Sequence, residues 1–364
     1  MKYLNTLRRA RALATAGTTA SLFSLVWGAP CGSADAQETA AHPRQDRIFN
    51  HVGTFSVPAN LPASEPISTI TSAEIVDVSR NGNLLMYTDA PTGRLGFVNI
   101  SNPDRIRPSG YLDLGGEPTS VAVKGAFALV AVNTSQSFAN PSGELVVVRV
   151  NQRSIVRRIP LVGQPDSVAI SPDGRYAAIV IENERDEGLN GGLIPQAPAG
   201  LLQVLDCQSS PDKWTLSNVE LTGLAEVAPF DPEPEFVDIN EANLAVVTMQ
   251  ENNHLVVVNL ANKQIVNHFS AGSVTLDRVD ATEEKLGPQK TGLIGLTETI
   301  TRRREPDAVA WIDHDTFVTA NEGDYEDAAG VEGGSRGFTL FNVSGAVEWL
   351  PRQHERPKRR GLIT

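Results

Sequence analysis

Apolar and polar residues alternate along most of this chain in short runs, broken by turns of Gly, Asn, Asp and Pro. Alternation with period two predicts strands that bury one face. Five segments align: SAEIVDVSRNGNLLMYTDAP (72–91), EPTSVAVKGAFALVAVNTSQ (117–136), QPDSVAISPDGRYAAIVIENE (164–184), EPEFVDINEANLAVVTMQENN (233–253) and EPDAVAWIDHDTFVTANEGD (305–324). Each reads as a strand, a tight polar turn, a second strand and a polar or acidic loop. A third strand follows (RLGFVNI, ELVVVRV, GLLQVLD, HLVVVNL, RGFTLFNV), and after the first four units a fourth, as in SIVRRIPLVG and QIVNHFSAGS.

Ala73, Pro118, Pro165, Pro234 and Pro306 take equivalent positions, 45, 47, 69 and 72 residues apart, and [EQ]-P-x-x-V recurs in four of the five units. Four short antiparallel strands per repeat predict an all-β fold, a β-propeller of YVTN/WD40-like blades. The expected ring is a seven-bladed type, of which about five blades are encoded here. The two long spacings hold insertions, 184–200 with 207–232, and 275–304. RIFNHVGTFS (47–56) resembles the fourth-strand sequence QIVNHFSAGS, so it is expected to complete the last blade and cover a strand edge.

The tail WLPRQHERPKRRGLIT (349–364) is basic and lacks alternation. Its composition points to truncation or a frameshift near Val347, with a natural basic tail as the alternative. The predicted organisation is a signal peptide over 1–36, a linker over 37–46, a partial propeller over 47–348 and the atypical tail over 349–364.

The leader has a basic start, an apolar stretch from about Ala12 to Trp27, and Ala34-Asp35-Ala36 before Gln37. That is the pattern of a signal peptide cleaved after Ala36, which implies a secreted or periplasmic protein. Arg8-Arg9 leaves twin-arginine export open beside the general route. Cys31 follows Pro30, a poor setting for a lipoprotein site, so ordinary cleavage is the better reading. Cleavage leaves Cys207 as the one cysteine, without an intrachain disulfide. No second apolar run is long enough to span a membrane.

Net charge is −12, but the leader holds four basic residues and one acid, and the last 13 residues five and one. The body keeps 22 basic and 41 acidic residues, a net of −19. Such a body repels nucleic acid and anionic membranes and attracts cations.

The segments SAEIVDV, EPEFVDI with TMQENN, and EPDAVAW with TANEGDYED resemble the choice-of-anchor I family of secreted bacterial propellers. The resemblance covers roughly residues 47 to 345 and is most specific at QENN (250–253) and TANEGD (319–324). It implies the propeller fold. It also implies kinship with alkaline-phosphatase-like proteins and with proteins described by an esterase-like activity of phytase, without a shared reaction that transfers residue by residue.

In a four-stranded blade, the loop between strands two and three opens on the same face as the connection to the next blade. That face is expected to collect Asp166, Glu235 and Asp307 from the starts of first strands, and Glu182, Glu251 and Glu322 from the ends of second strands. Asp324 extends the set in the loop that follows. A ring of carboxylates suits a hard cation such as Ca²⁺, which takes six to eight oxygens. The other reading is that these acids cap strand ends and keep the chain soluble.

Weaker signals are the G-x-S-x-G match at Gly333–Gly337, in the wrong context for a nucleophile, and scattered histidines, of which His254 begins a strand beside the acidic face. Arg302-Arg303-Arg304 reads as a solvated loop run, the alternative being a cluster on the same face that holds a phosphate or carboxylate. The expected function is a binding or surface-interaction module with an acidic, Ca²⁺-binding loop face, monomeric when intact, for an extracellular protein or polymer. The alternative is a metal-dependent phosphoesterase acting on a phosphoester substrate at the same face.

Overall fold

A computed structural model describes residues 51–186, 188–280, 295–323 and 335–349. The five repeats form five four-stranded antiparallel meanders. The first blade comprises Val76–Val78, Leu84–Asp89, Arg94–Asn99 and Arg107–Asp113 (β1–β4). The second comprises Glu117–Lys124, Phe127–Asn133, Gly143–Arg149 and Ser154–Leu161 (β5–β8). The third comprises Pro165–Ile170, Tyr176–Ile181, Leu201–Asp206 and Thr215–Glu220 (β9–β12). The fourth comprises Pro234–Ile239, Leu244–Met249, His254–Asn259 and Gln264–Ser270 (β13–β16). A two-stranded hairpin, Ser273–Val279 with Glu298–Arg303 (β17 and β18), precedes the fifth blade of Pro306–Trp311, Thr316–Asn321, Gly337–Asn342 and Val347–Trp349 (β19–β22). No helix among the described residues is long and apolar enough to cross a membrane.

The apolar alternation explains the packing. Middle strands such as β10 are buried along their whole length, because neighbouring blades cover both faces. Outer strands such as β16 alternate exposed and half-buried positions. Leu129 and Leu145 of the second blade pack with Ile179, Cys207 and Trp214 of the third. Val180 and Leu202 meet Val247 and Met249 across the next boundary. Trp311, Phe317 and Phe341 of the fifth blade join Phe236 and Leu255 of the fourth.

The first strand of successive blades stands beside the next, and backbone bonds staple them. Ser120 Oγ accepts from Val168 N at 3.2 Å and Ser167 Oγ from Val237 N at 3.1 Å. The signature proline opens the first strand, where a missing N–H costs least. Immediately after it the register slips, between Pro118 and Ser120, Pro234 and Val237, and Pro306 and Val309. A bulge at that place re-aims one side chain per blade. The residues so placed are Thr119, Asp166, Glu235 and Asp307, all half-buried.

Three expectations change. The described part of segment 47–56 forms no strand; the chain instead makes a 3₁₀ turn at Val57–Asn60. Asn60 Nδ2 donates to Tyr87 Oη and the Phe97 carbonyl, both at 2.9 Å, so a buried amide ties this segment to the first blade. The fifth blade has a fourth strand of its own, β22, from a Val347–Trp349 run too short to show alternation. The insertion 275–304 carries most of the β17–β18 hairpin, which the repeat pattern does not contain. The leader and residues 350–364 lie outside the described residues.

Candidate functional site

Connections between second and third strands and between blades leave one face of the molecule, here the upper face. Residues 182–200 follow β10 and residues 221–233 follow β12, so both long loops are on it. They are pinned together. Gln196 N donates to Asp231 Oδ2, Gly200 N to the Pro232 carbonyl at 2.9 Å, and Asn183 Nδ2 to the Ala199 carbonyl at 3.2 Å. Asn residues also hold the chain ahead of Pro165, Pro234 and Pro306. Asn183 Oδ1 accepts from Gln164 N at 2.9 Å, Asn252 Oδ1 from Glu233 N at 2.9 Å, and Asn253 Oδ1 from Glu305 N at 3.0 Å.

This framework brings five of the seven sequence-derived carboxylates together. Burial pushes the Glu182 carboxyl well above the usual range, and the charges of Asp166, Glu251, Glu184 and Glu233 push it further. Glu235 is raised in the same way, first by burial and then by Glu251, Glu182, Asp307 and Asp166. Glu182 and Glu235 keep part of their surface accessible, yet protein surrounds them. Both facts fit a position lining an opening. Glu322 differs, standing exposed with its N–H donating to the Glu305 carbonyl at 3.1 Å. Asp324 lies outside the described residues.

Sequence reasoning missed three members. Glu233, the Glu of the fourth signature, is 1% exposed, and its Oε1 has no hydrogen-bond partner. Burial raises its carboxyl, and Glu251 and Asp231 add to this against the opposing pull of Arg185. Asp231 is pushed to about 6 by burial. Arg185 is the basic side chain facing the cluster: its Nη1 donates to Glu251 Oε1 and lies 3.5 Å from Glu233 Oε2. The available signal is the acid of E-P itself, which recurs ahead of the proline in three of the five units.

The donors are all carboxylate oxygens, the set a hard cation takes. No group of three or more His, Cys, Asp or Glu stands at metal-binding geometry among the described residues. A bound cation would therefore have to draw the side chains inward.

The remaining candidates are His254, Ser335 and the Arg302–Arg304 run. His254 begins β15, as its position suggested, and meets His268 of β16 at 3.0 Å between Nε2 and Nδ1. Burial first, then His268, lowers the His254 pKa to about 4. The pair was not legible because the two are diagonal neighbours, His254 opposite Ser270 and His268 opposite Val256. Ser335 is buried directly before β21, and Gly333 and Gly334 lie outside the described residues. Arg304 is buried and donates to the Ala271 carbonyl at 2.8 Å, so the Arg302–Arg304 run is not a solvated loop.

Against solved structures, the chain is similar to Kuenenia stuttgartiensis hydrazine synthase, with 12% identity and a TM-score of 0.38, covering 76% of this chain and 84% of that one. It is similar to the β-propeller domain of Myceliophteria thermophila Cps50 (Swd1), with 10% identity and a TM-score of 0.40, covering 76% and 88%. A chain of the mitotic checkpoint complex gives 11% identity and 0.41, covering 69% and 60%. Overlaps this loose carry nothing about activity. No curated protein sequence matches the chain significantly. The family model of the choice-of-anchor I domain matches residues 74–340, which spans all five blades from the approach to β1 into β21. The chain therefore belongs to the choice-of-anchor I family, on a β-propeller scaffold.

Proposed function

We propose that the chain is a secreted or cell-surface interaction module whose upper face takes up a hard cation such as Ca²⁺ at the carboxylate cluster. The observation that carries this reading is the burial of Glu233 and Glu251 against the single guanidinium of Arg185; burial first, then neighbouring carboxylates, raises Glu182, Glu233 and Glu235. Like charges so buried are stable only if protonated or compensated, and a divalent cation compensates several at once. The unsatisfied Glu233 Oε1 supports it further. Asp166, Glu182, Glu235, Glu251 and Asp307 are the proposed ligands, with Glu233 added to them; Glu322 and Asp324 extend the acidic face beyond. A phosphoesterase acting through the same ion rests on the family resemblance alone. The test is thermal melting of the purified chain with Ca²⁺ and with chelator. Ca²⁺ should raise the melting temperature, and a flat response would remove the cation site.

A further inference from the structure

The face that carries the acidic mouth also displays apolar side chains that the fold does not bury. Phe230 is 76% exposed and Leu189 53%. Val162 is 53% and Phe138 42% exposed. All four lie in connections that open on the upper face: Phe138 between β6 and β7, Val162 between β8 and β9, Leu189 between β10 and β11, Phe230 between β12 and β13. Their neighbours in sequence are the charged groups already described. Phe230 precedes Asp231, whose charge reaches Glu233. Leu189 follows Arg185 by four residues, and Val162 precedes Gln164, whose Nε2 donates to Glu184 Oε2 at 3.0 Å.

Isolated exposed apolar residues are ordinary; a set that shares one face with a charged opening is not. Phe230 is also held in place. Asp231 N donates to the Ala228 carbonyl and Gly223 N to the Pro229 carbonyl, while Asn252 Nδ2 donates to the Asp231 carbonyl at 2.9 Å. Leu189 sits in a turn closed by its own N–H to the Asp186 carbonyl at 3.0 Å. Side chains presented by hydrogen-bonded turns lose little freedom when a partner covers them.

We infer that the upper face docks an extended cationic polypeptide segment, in which Lys or Arg enters the carboxylate mouth and alternating apolar residues lie on Phe230, Leu189 and Val162. Charge complementarity selects this occupant: the seven clustered carboxylates described above meet Arg185, and a Lys or Arg adds the positive charge that an acidic or neutral segment lacks. The inference rests on reading the upper face as the binding face; Lys or Arg takes the carboxylates in place of the cation, so binding is measured with chelator present.

The test is fluorescence anisotropy of the full chain with a short synthetic peptide alternating Lys with Leu or Phe, at physiological salt. A peptide of equal charge with Ser at the apolar positions serves as comparison. Saturable binding is expected, roughly tenfold weaker for the Ser peptide and for the double variant Phe230→Ser with Leu189→Ser. Ile312→Ser, an exposed apolar residue in the β19–β20 turn on the opposite face, should leave it unchanged. No binding, equal binding of the two peptides, or equal losses in the double variant and Ile312→Ser would overturn the inference. The double variant should keep any Ca²⁺-dependent rise in melting temperature, so failure of the docking surface and failure of the cation site give different results.

Discussion

Asp238 Oδ2 accepts the backbone N–H of Trp311 at 2.8 Å, and Trp311 Nε1 donates back to the Asp238 carbonyl at 3.0 Å. One carboxylate thus staples the fourth blade to the fifth. Asp77 does the same for the first two blades, accepting from Val123 N at 2.7 Å. Where the first strand reads Val-Asp (IVDV, FVDI) the staple is Asp; where it reads Ser-Val-Ala (TSVAV, DSVAI) it is Ser, two residues earlier in the repeat. Each blade boundary so described uses a short polar side chain to satisfy an N–H that the sheet itself leaves unpaired.

Removing that acceptor should be costly. Asp238→Ala is expected to destabilise the chain by about 1–3 kcal/mol, because the Trp311 amide loses its buried partner. Denaturant unfolding followed by Trp fluorescence measures this. Asp238→Asn keeps one acceptor and should lose less, and equal losses would argue against the staple.

Stability should fall as pH rises from the ordinary carboxylate range toward alkaline values. Glu182, Glu233 and Glu235 are raised in the folded chain, so it holds protons that the unfolded chain releases above about pH 4.3. Asp231, at about 6, contributes the same slope over the lower part of this window. Glu182→Gln with Glu235→Gln should flatten the fall and raise the melting temperature at pH 8 but not at pH 4. Melting curves across that range check the sign.

Arg185→Met should be harmful at neutral pH, by about 3–5 kcal/mol, since the buried Glu251 carboxylate would lose the guanidinium that donates to its Oε1. The loss should shrink at pH 5, where the freed carboxylate takes up a proton more readily. Urea midpoints at the two pH values measure the difference.

Cys207 should resist modification in the folded chain. It is fully buried, and burial pushes its thiol up to about 11. An aromatic disulfide reagent should label it only after denaturant is added, and rapid labelling of the native chain would contradict its packing against the second blade.

The repeats were legible because short apolar strands recur between polar turns and four of the five units carry the same proline. The acids at Asp166, Glu182, Glu235, Glu251 and Asp307 were legible for the same reason, being the same positions in successive repeats. Glu233 was not, since nothing in the pattern says that the residue before the proline is buried while its neighbour lines an opening. Arg185 was hidden because its partners are in another blade, 48 and 66 residues away. The 47–56 segment misled by local similarity: its fourth-strand pattern was real, but a blade edge is needed to make it a strand, and Asn60 ties the chain to the first blade instead. The β17–β18 hairpin belongs to no repeat, so periodicity had no means of finding it.

The central claim is that the buried carboxylates are completed by a cation, and calorimetric titration of Ca²⁺ into the chain at pH 7 tests it most directly. Saturable binding is predicted for the native chain and its abolition in Glu182→Gln with Glu235→Gln, with the fold intact by circular dichroism. A flat titration of the native chain, or unaltered affinity in the double variant, would contradict the account.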